Sequence, residues 1–292
     1  MMLGTATVGE FSPNLVSDLL DMWSAPFMVN AFRAMTLVSV LGAAVGVLLV
    51  IRRESFVGHT LSVIGVPGAS GAVYFGGPAA LGYYLAAGIG VLALGSRRAG
   101  GGARLAGQNA AVGTFQAAAL ATGLLFISLY KGFLGGTSAL LFGSILGITG
   151  AQVAQLAVIT ALVLLALALL WRPLVFASLD PVIAASRGLR VGLLNLAYLT
   201  LLAVSAAAVA QITGGLLVFG LLVLPAATAQ VVTTRPARTL VIAVILGFLI
   251  GWASLYSAYY TDYPVGFWLT SIAFAAYVIV RVGHQISDRV NG

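Results

Sequence analysis

A chain of 292 residues that is 61% hydrophobic and only 7% charged cannot be a soluble domain, because soluble domains carry roughly 25% charged residues. It has no cysteine, which removes disulfides, thiolate metal sites and thiol nucleophiles together. The net charge of +7 does not mark a nucleic-acid partner: the arginines are scattered through short loops between apolar runs, as membrane topology requires.

The first 24 residues contain Glu10, Asp18 and Asp21 but no Lys or Arg, so they lack the basic start of a secretion signal. Ser12 and Pro13 suit a helix N-cap and first position. Phe11, Leu15, Leu19 and Trp23 then recur every four residues, which predicts a short amphipathic helix lying on the outer membrane surface.

Nine apolar runs follow, at 27–51, 56–75, 78–95, 110–130, 151–171, 191–209, 214–232, 239–259 and 265–283. Each is near the roughly 20 residues a helix needs to cross the hydrocarbon. The sequence therefore predicts an all-α, polytopic bundle of about eight to nine transmembrane helices, forming one membrane domain over 25–283. If these runs alternate in direction, Arg52, Arg53, Arg97, Arg98, Arg104, Arg172, Arg187, Arg190, Arg235, Arg238, Arg281 and Arg289 share one side, and Lys131 alone falls in a loop on the other. Positive charge stays cytoplasmic, so the N-terminus is expected outside and the C-terminus inside, with 284–292 as a cytoplasmic tail. The apolar stretch 134–149 would reverse this pattern if it spanned. It is short and glycine-rich, and is expected as a short helix or re-entrant piece at the outer side. Residues 96–107 are expected to form a glycine-rich cytoplasmic connector.

No nucleotide-binding loop is present: Lys131 is the sole lysine and Gly132 follows it, which cannot match G-x-x-x-x-G-K-[ST]. Any ATP must be hydrolysed by another subunit. The most structured loop is "SLDPVIAASRGLR", 178–190. Asp180 suits an N-cap, Pro181 the first helical position and Gly188 the C′ position. Asp180, Ala184 and Gly188 share one face by their spacing of four, and small residues there would let another surface approach, as in a docking helix. In the seventh run, Pro225 would free a carbonyl and kink the helix. Polar groups inside the runs are few. Arg33 is expected to snorkel outward, and Asn109, Gln116, Asn195 and Gln211 to bond between helices. His59 and Asp262 are the two groups that could hold a cation, since an ionisable side chain at membrane depth is costly and functional by default; a packed interior histidine and a turn-forming aspartate are the other readings. By its place in the run, His59 lies near the cytoplasmic end and Asp262 in an outer turn.

Together, "GGLLVFGLLVLPAATA", "ALLFGSILGIT", the "DPVIAASRG" element and "SAYYTDYPVG" before the last run resemble the permease subunits of bacterial ABC importers for zinc, manganese and iron(II), over roughly residues 25–283. The resemblance implies a multi-pass protein of the bacterial plasma membrane, not itself an enzyme. It implies a homodimer or a pair of related permeases, two cytoplasmic ATPase subunits that bind the ATP, and an extracytoplasmic metal-binding protein. It implies that Asp180, Pro181, Ala184 and Gly188 mark the coupling helix seated on the ATPase. Family members typically read Gly-Asp-Thr-Leu-x-His where this chain has Gly58-His59-Thr60-Leu61-Ser62-Val63. His59 thus stands in the aspartate position and Val63 in the histidine position. Asn109 stands where the family often has aspartate, and Asp262 remains a carboxylate. The resemblance implies no cofactor in the chain itself and a transported divalent ion, zinc or manganese with iron also open, and imidazole in place of carboxylate leans toward zinc. Two alternatives remain at this stage: a permease for a metal chelate of the siderophore or cobalamin kind, which needs no ligands in its path, and an ion-coupled secondary transporter.

Overall fold

The computed structural model describes residues 22–99, 105–129, 143, 145–215, 217–261 and 263–291. The described residues form α1 (Pro26–Ile51), α2 (Ser55–Tyr74), α3 (Ala79–Ala99), α4 (Leu105–Leu129), α5 (Gly150–Leu179), α6 (Pro181–Ser186), α7 (Val191–Thr213), α8 (Val218–Val232), α9 (Pro236–Tyr259) and α10 (Val265–Asn291). A 3-10 turn, Ile145–Gly147, precedes α5. Each of the nine expected runs contains a helix, although the run expected at 214–232 becomes helical only from Val218. Seven are long and apolar enough to cross a membrane, while α8 and the apolar part of α3 are shorter. A helix satisfies its own backbone, which is what hydrocarbon demands.

α1 is the central helix, packed against α9, α8, α5 and α7, and buried along most of its length. A helix that is apolar on every side belongs in such an interior. α8, α9 and α10 pack together on one flank, and α2, α3 and α4 on the other, joined through α7. Close approach is set by small residues, as in membrane bundles generally. A Cβ on Gly46 of α1 would collide with the backbone carbonyl of Leu222 in α8. Across α1 and α9, the Trp252 indole N–H donates to Thr36 Oγ1 at 2.9 Å.

The two ends of the bundle differ. Trp23, Phe32, Phe248 and Trp252 cluster at one end, and Tyr256, Tyr259 and Tyr260 extend the cluster along the end of α9, as an interfacial aromatic belt would. The helix ends bearing Arg52, Arg187 and Arg190 lie at the other.

Several boundaries differ from the sequence expectation. α5 runs two turns beyond residue 171, to Leu179, straight through Pro173. α10 continues as helix through 284–291, the segment expected as the tail. Only the end of 134–149 is described. There Ile145 and Ile148 are buried, and Thr149 and Gln152 form a reciprocal capping box that starts α5. The rest of that stretch, residues 1–21 of the expected amphipathic segment, and Lys131 lie outside the described residues.

Candidate functional site

α6 has only six residues, far too few to hold together alone. Its ends supply the missing stability. Asp180 is extended, and its Oδ1 accepts from the backbone N–H groups of Val182 (3.1 Å) and Ile183 (2.9 Å), a cap of a kind worth about 1 kcal/mol. Pro181 takes the first helical position, where it has no bond to lose. At the far end Gly188 N–H donates to Ala185 and Leu189 N–H to Ala184, with Gly188 at φ 82°. This is a Schellman closure that wants a residue without Cβ.

The sequence expected Ala184 to face a partner. Instead it is fully buried within the chain, where α6 rests on α5 and α7. Its small side chain lets α6 sit close to its own bundle. The outward face is Val182 (76% exposed) and Ile183 (47%), next to Leu179 (64%), with Arg187 exposed beside them.

His59 lies one turn into α2. Its ring meets Phe219 edge-on, 5.6 Å between centroids, and its Nδ1 is covered and makes no hydrogen bond. Phe219 stands in the first turn of α8, which starts at the opposite end of the bundle from α2. The 15 residues of α8 give about 22 Å, short of the ~30 Å of hydrocarbon. The α7–α8 reversal, with Gly214 at φ 79° and Gly215 against Ser62 and Val66 of α2, therefore lies at depth. His59 sits beside it, one turn from the start of its own helix. Backbone that is not helical is tolerated at such depth where protein or a cavity covers it. Among the described residues no three His, Asp or Glu side chains come together. Ser62 and Thr60 donate instead to their own helix, at Gly58 and Phe56.

Pro225 is buried inside α8, and the helix continues through it. The α2 helix carries Pro67 in the same way, a feature sequence reading passed over. Asn109 is placed on α4 by the backbone alone, and Asp262 lies outside the described residues, so neither can be set beside His59. Of the expected interhelical polar groups, the Gln116 side-chain amide lies 3.0 Å from Thr60 Oγ1, within hydrogen-bond reach across α2 and α4, Asn195 accepts from Arg52 at 2.8 Å, and Gln211 bonds back to Ala207 of its own helix. Arg33 is exposed, as snorkelling requires. The bond to Arg52 was not foreseen. A doubled arginine at the end of a run reads only as a topology signal.

Comparison with known proteins supplies a family match. The model of the ABC 3 transport family matches residues 24–283. The chain is 31% identical to the chelated iron transport system membrane protein YfeC of Yersinia pestis, covering 85% of this chain and 83% of that one. It is 26% identical to the manganese transport system membrane protein MntC of Halalkalibacterium halodurans, covering 91% and 90%. Among solved structures it is similar in fold to PsaBC from Streptococcus pneumoniae, with a TM-score of 0.78 at 22% identity, covering 91% of this chain and 95% of that one.

Proposed function

The chain belongs to the ABC 3 transport family, a multi-pass protein of the bacterial plasma membrane, and from that premise we propose that it is the membrane-spanning subunit of an ATP-driven importer of divalent metal ions. α6 carries this reading. It is a rigidly capped helix at the arginine-rich end, holding Val182 and part of Ile183 exposed among the described residues. Such a face suits a cytoplasmic ATPase subunit that supplies the energy this chain has no nucleotide loop to supply. The permease works as a homodimer or with a related permease, two ATPase subunits and an extracytoplasmic binding protein. His59 and Asp262 are the metal-contacting groups, with Pro225 and Asn109 along the path. The imidazole favours zinc, while relatives are named for manganese and chelated iron.

The test is reconstitution with the ATPase and binding proteins, reading uptake of radioactive zinc, manganese and iron(II) in competition. Ile183→Glu, on an exposed position, should release the ATPase subunit during purification and lower uptake more than about tenfold, because a charge in the desolvated centre of an interface costs roughly 2 kcal/mol or more. Unchanged assembly and turnover would remove α6 from the interface. Ala184 is a poorer probe, since a larger residue there disturbs the chain's own packing.

Orientation is tested on the cysteine-free background. A single cysteine at Ser186 should be protected from an impermeant maleimide in intact cells, and one at Tyr263 should react. The reverse pattern would invert the topology.

A second reading is supported by a specific observation. The described residues gather no three metal ligands, whereas a bare zinc ion usually takes four. A chelated metal would need none. Uptake of a ferric chelate in the same assay, with no uptake of bare ions, would select it.

A further inference from the structure

We propose that Arg52 is a positioning residue that ties the ATPase-docking helix to the part of α2 that carries His59. The inference rests on the docking role given to α6 above. Three side chains from two helices, α5 and α7, converge on one guanidinium. Arg52 Nε donates to Ser178 Oγ at 2.7 Å and Nη1 donates to Asn195 Oδ1 at 2.8 Å. Its Cζ lies 4.2 Å from the centre of the Tyr198 ring, and Tyr198 is fully buried. Ser178 stands two residues before Asp180, the cap of α6, and Asn195 is in the first turns of α7, just after it. Arg52 thus grips both chain segments that leave α6.

The other end of the link is equally rigid. Arg52 closes α1 by donating its backbone N–H to Leu48. Arg53 N–H donates to Val50, and Glu54 N–H to Leu49, the Schellman pattern. Arg53 holds the left-handed position at φ 57° without being glycine. The carbonyl of Glu54 then accepts from Val57 and Gly58, the first bonds of α2. Four residues separate Glu54, the N-cap of α2, from His59, all in one continuous helix. A displacement of α6 by a partner therefore reaches Arg52 through charge-assisted bonds, and reaches His59 through a turn with no slack. Arginine suits this place because its planar fork bonds two acceptors at once while its face stacks on an aromatic ring; a lysine ammonium does not.

The test uses the full complex in proteoliposomes and reads metal imported per ATP hydrolysed, with radioactive zinc and manganese as probes. Arg52→Gln should lower that ratio about tenfold, within the range seen for residues that carry coupling between sites, while the ATPase subunit stays bound and hydrolysis continues. Arg52→Lys should fall between Arg52→Gln and the parent. Ser178→Ala should lower the ratio alone and add nothing in the Arg52→Gln background. A general loss of folding would reduce import and hydrolysis together and leave the ratio unmoved. If Arg52→Gln does not yield folded complex, Arg52→Lys and Ser178→Ala carry the same reading. A parental ratio in the variants that assemble overturns the link. That result is separate from failure of the docking reading, which would appear as an ATPase subunit still retained by Ile183→Glu.

Discussion

His59→Ala should cut import of bare divalent ions by at least tenfold while the folded permease and its ATPase complex persist. The two halves of this expectation have separate grounds. The imidazole makes no hydrogen bond through its covered Nδ1 and its described ring contact is a T-shaped one with Phe219. Removing it breaks little that holds the bundle together. As a metal donor it is hard to replace, since even the outer-shell partners of a ligand are worth roughly 10–100-fold in affinity or activity. His59→Asp should retain transport and shift the balance from zinc toward manganese, because a carboxylate oxygen is the harder ligand. Radiometal uptake with both ions in competition reads both effects. If His59→Ala imports bare ions at the parental rate, the histidine is packing only.

Gly46→Leu should abolish recovery of folded protein. The obstacle to a side chain at Gly46 is the backbone carbonyl of Leu222, which cannot turn aside as a side chain can. The whole crossing of α1 on α8 would have to open. Overpacking costs about 1–3 kcal/mol where side chains can adjust, and here they cannot, so the cost lies at or above the upper end. That is a large share of a total stability of about 5–15 kcal/mol. Gly46→Ala should already lower the yield of monodisperse protein in size-exclusion chromatography. Gly88→Ala is the matched control: it also lies inside a helix, but its Cβ meets nothing, and replacing glycine by alanine favours helix by about 1 kcal/mol. Equal recovery of the two alanine variants would contradict the close α1–α8 contact.

The sequence by itself determined the membrane class, the nine helical runs and the local architecture of α6. These follow from rules that act within one stretch of chain. A run of about 20 apolar residues must form a helix because hydrocarbon offers no other partner for its backbone. Asp180, Pro181 and Gly188 act on backbone groups only a few residues away. What only the tertiary structure decided depends on how each helix is rotated and at what depth it sits. In a membrane protein the lipid-facing and protein-facing sides are both apolar, so the sequence carries little mark of rotation. Ala184 shows this: its spacing was right and its face was wrong, because nothing local says whether a small residue turns toward the chain's own bundle or away. His59 lies beside Phe219 because α8 is short and its entry is recessed. Arg52 finds Ser178 and Asn195 across 126 and 143 residues of chain, a meeting produced by the packing of α1, α5 and α7 rather than by any local pattern.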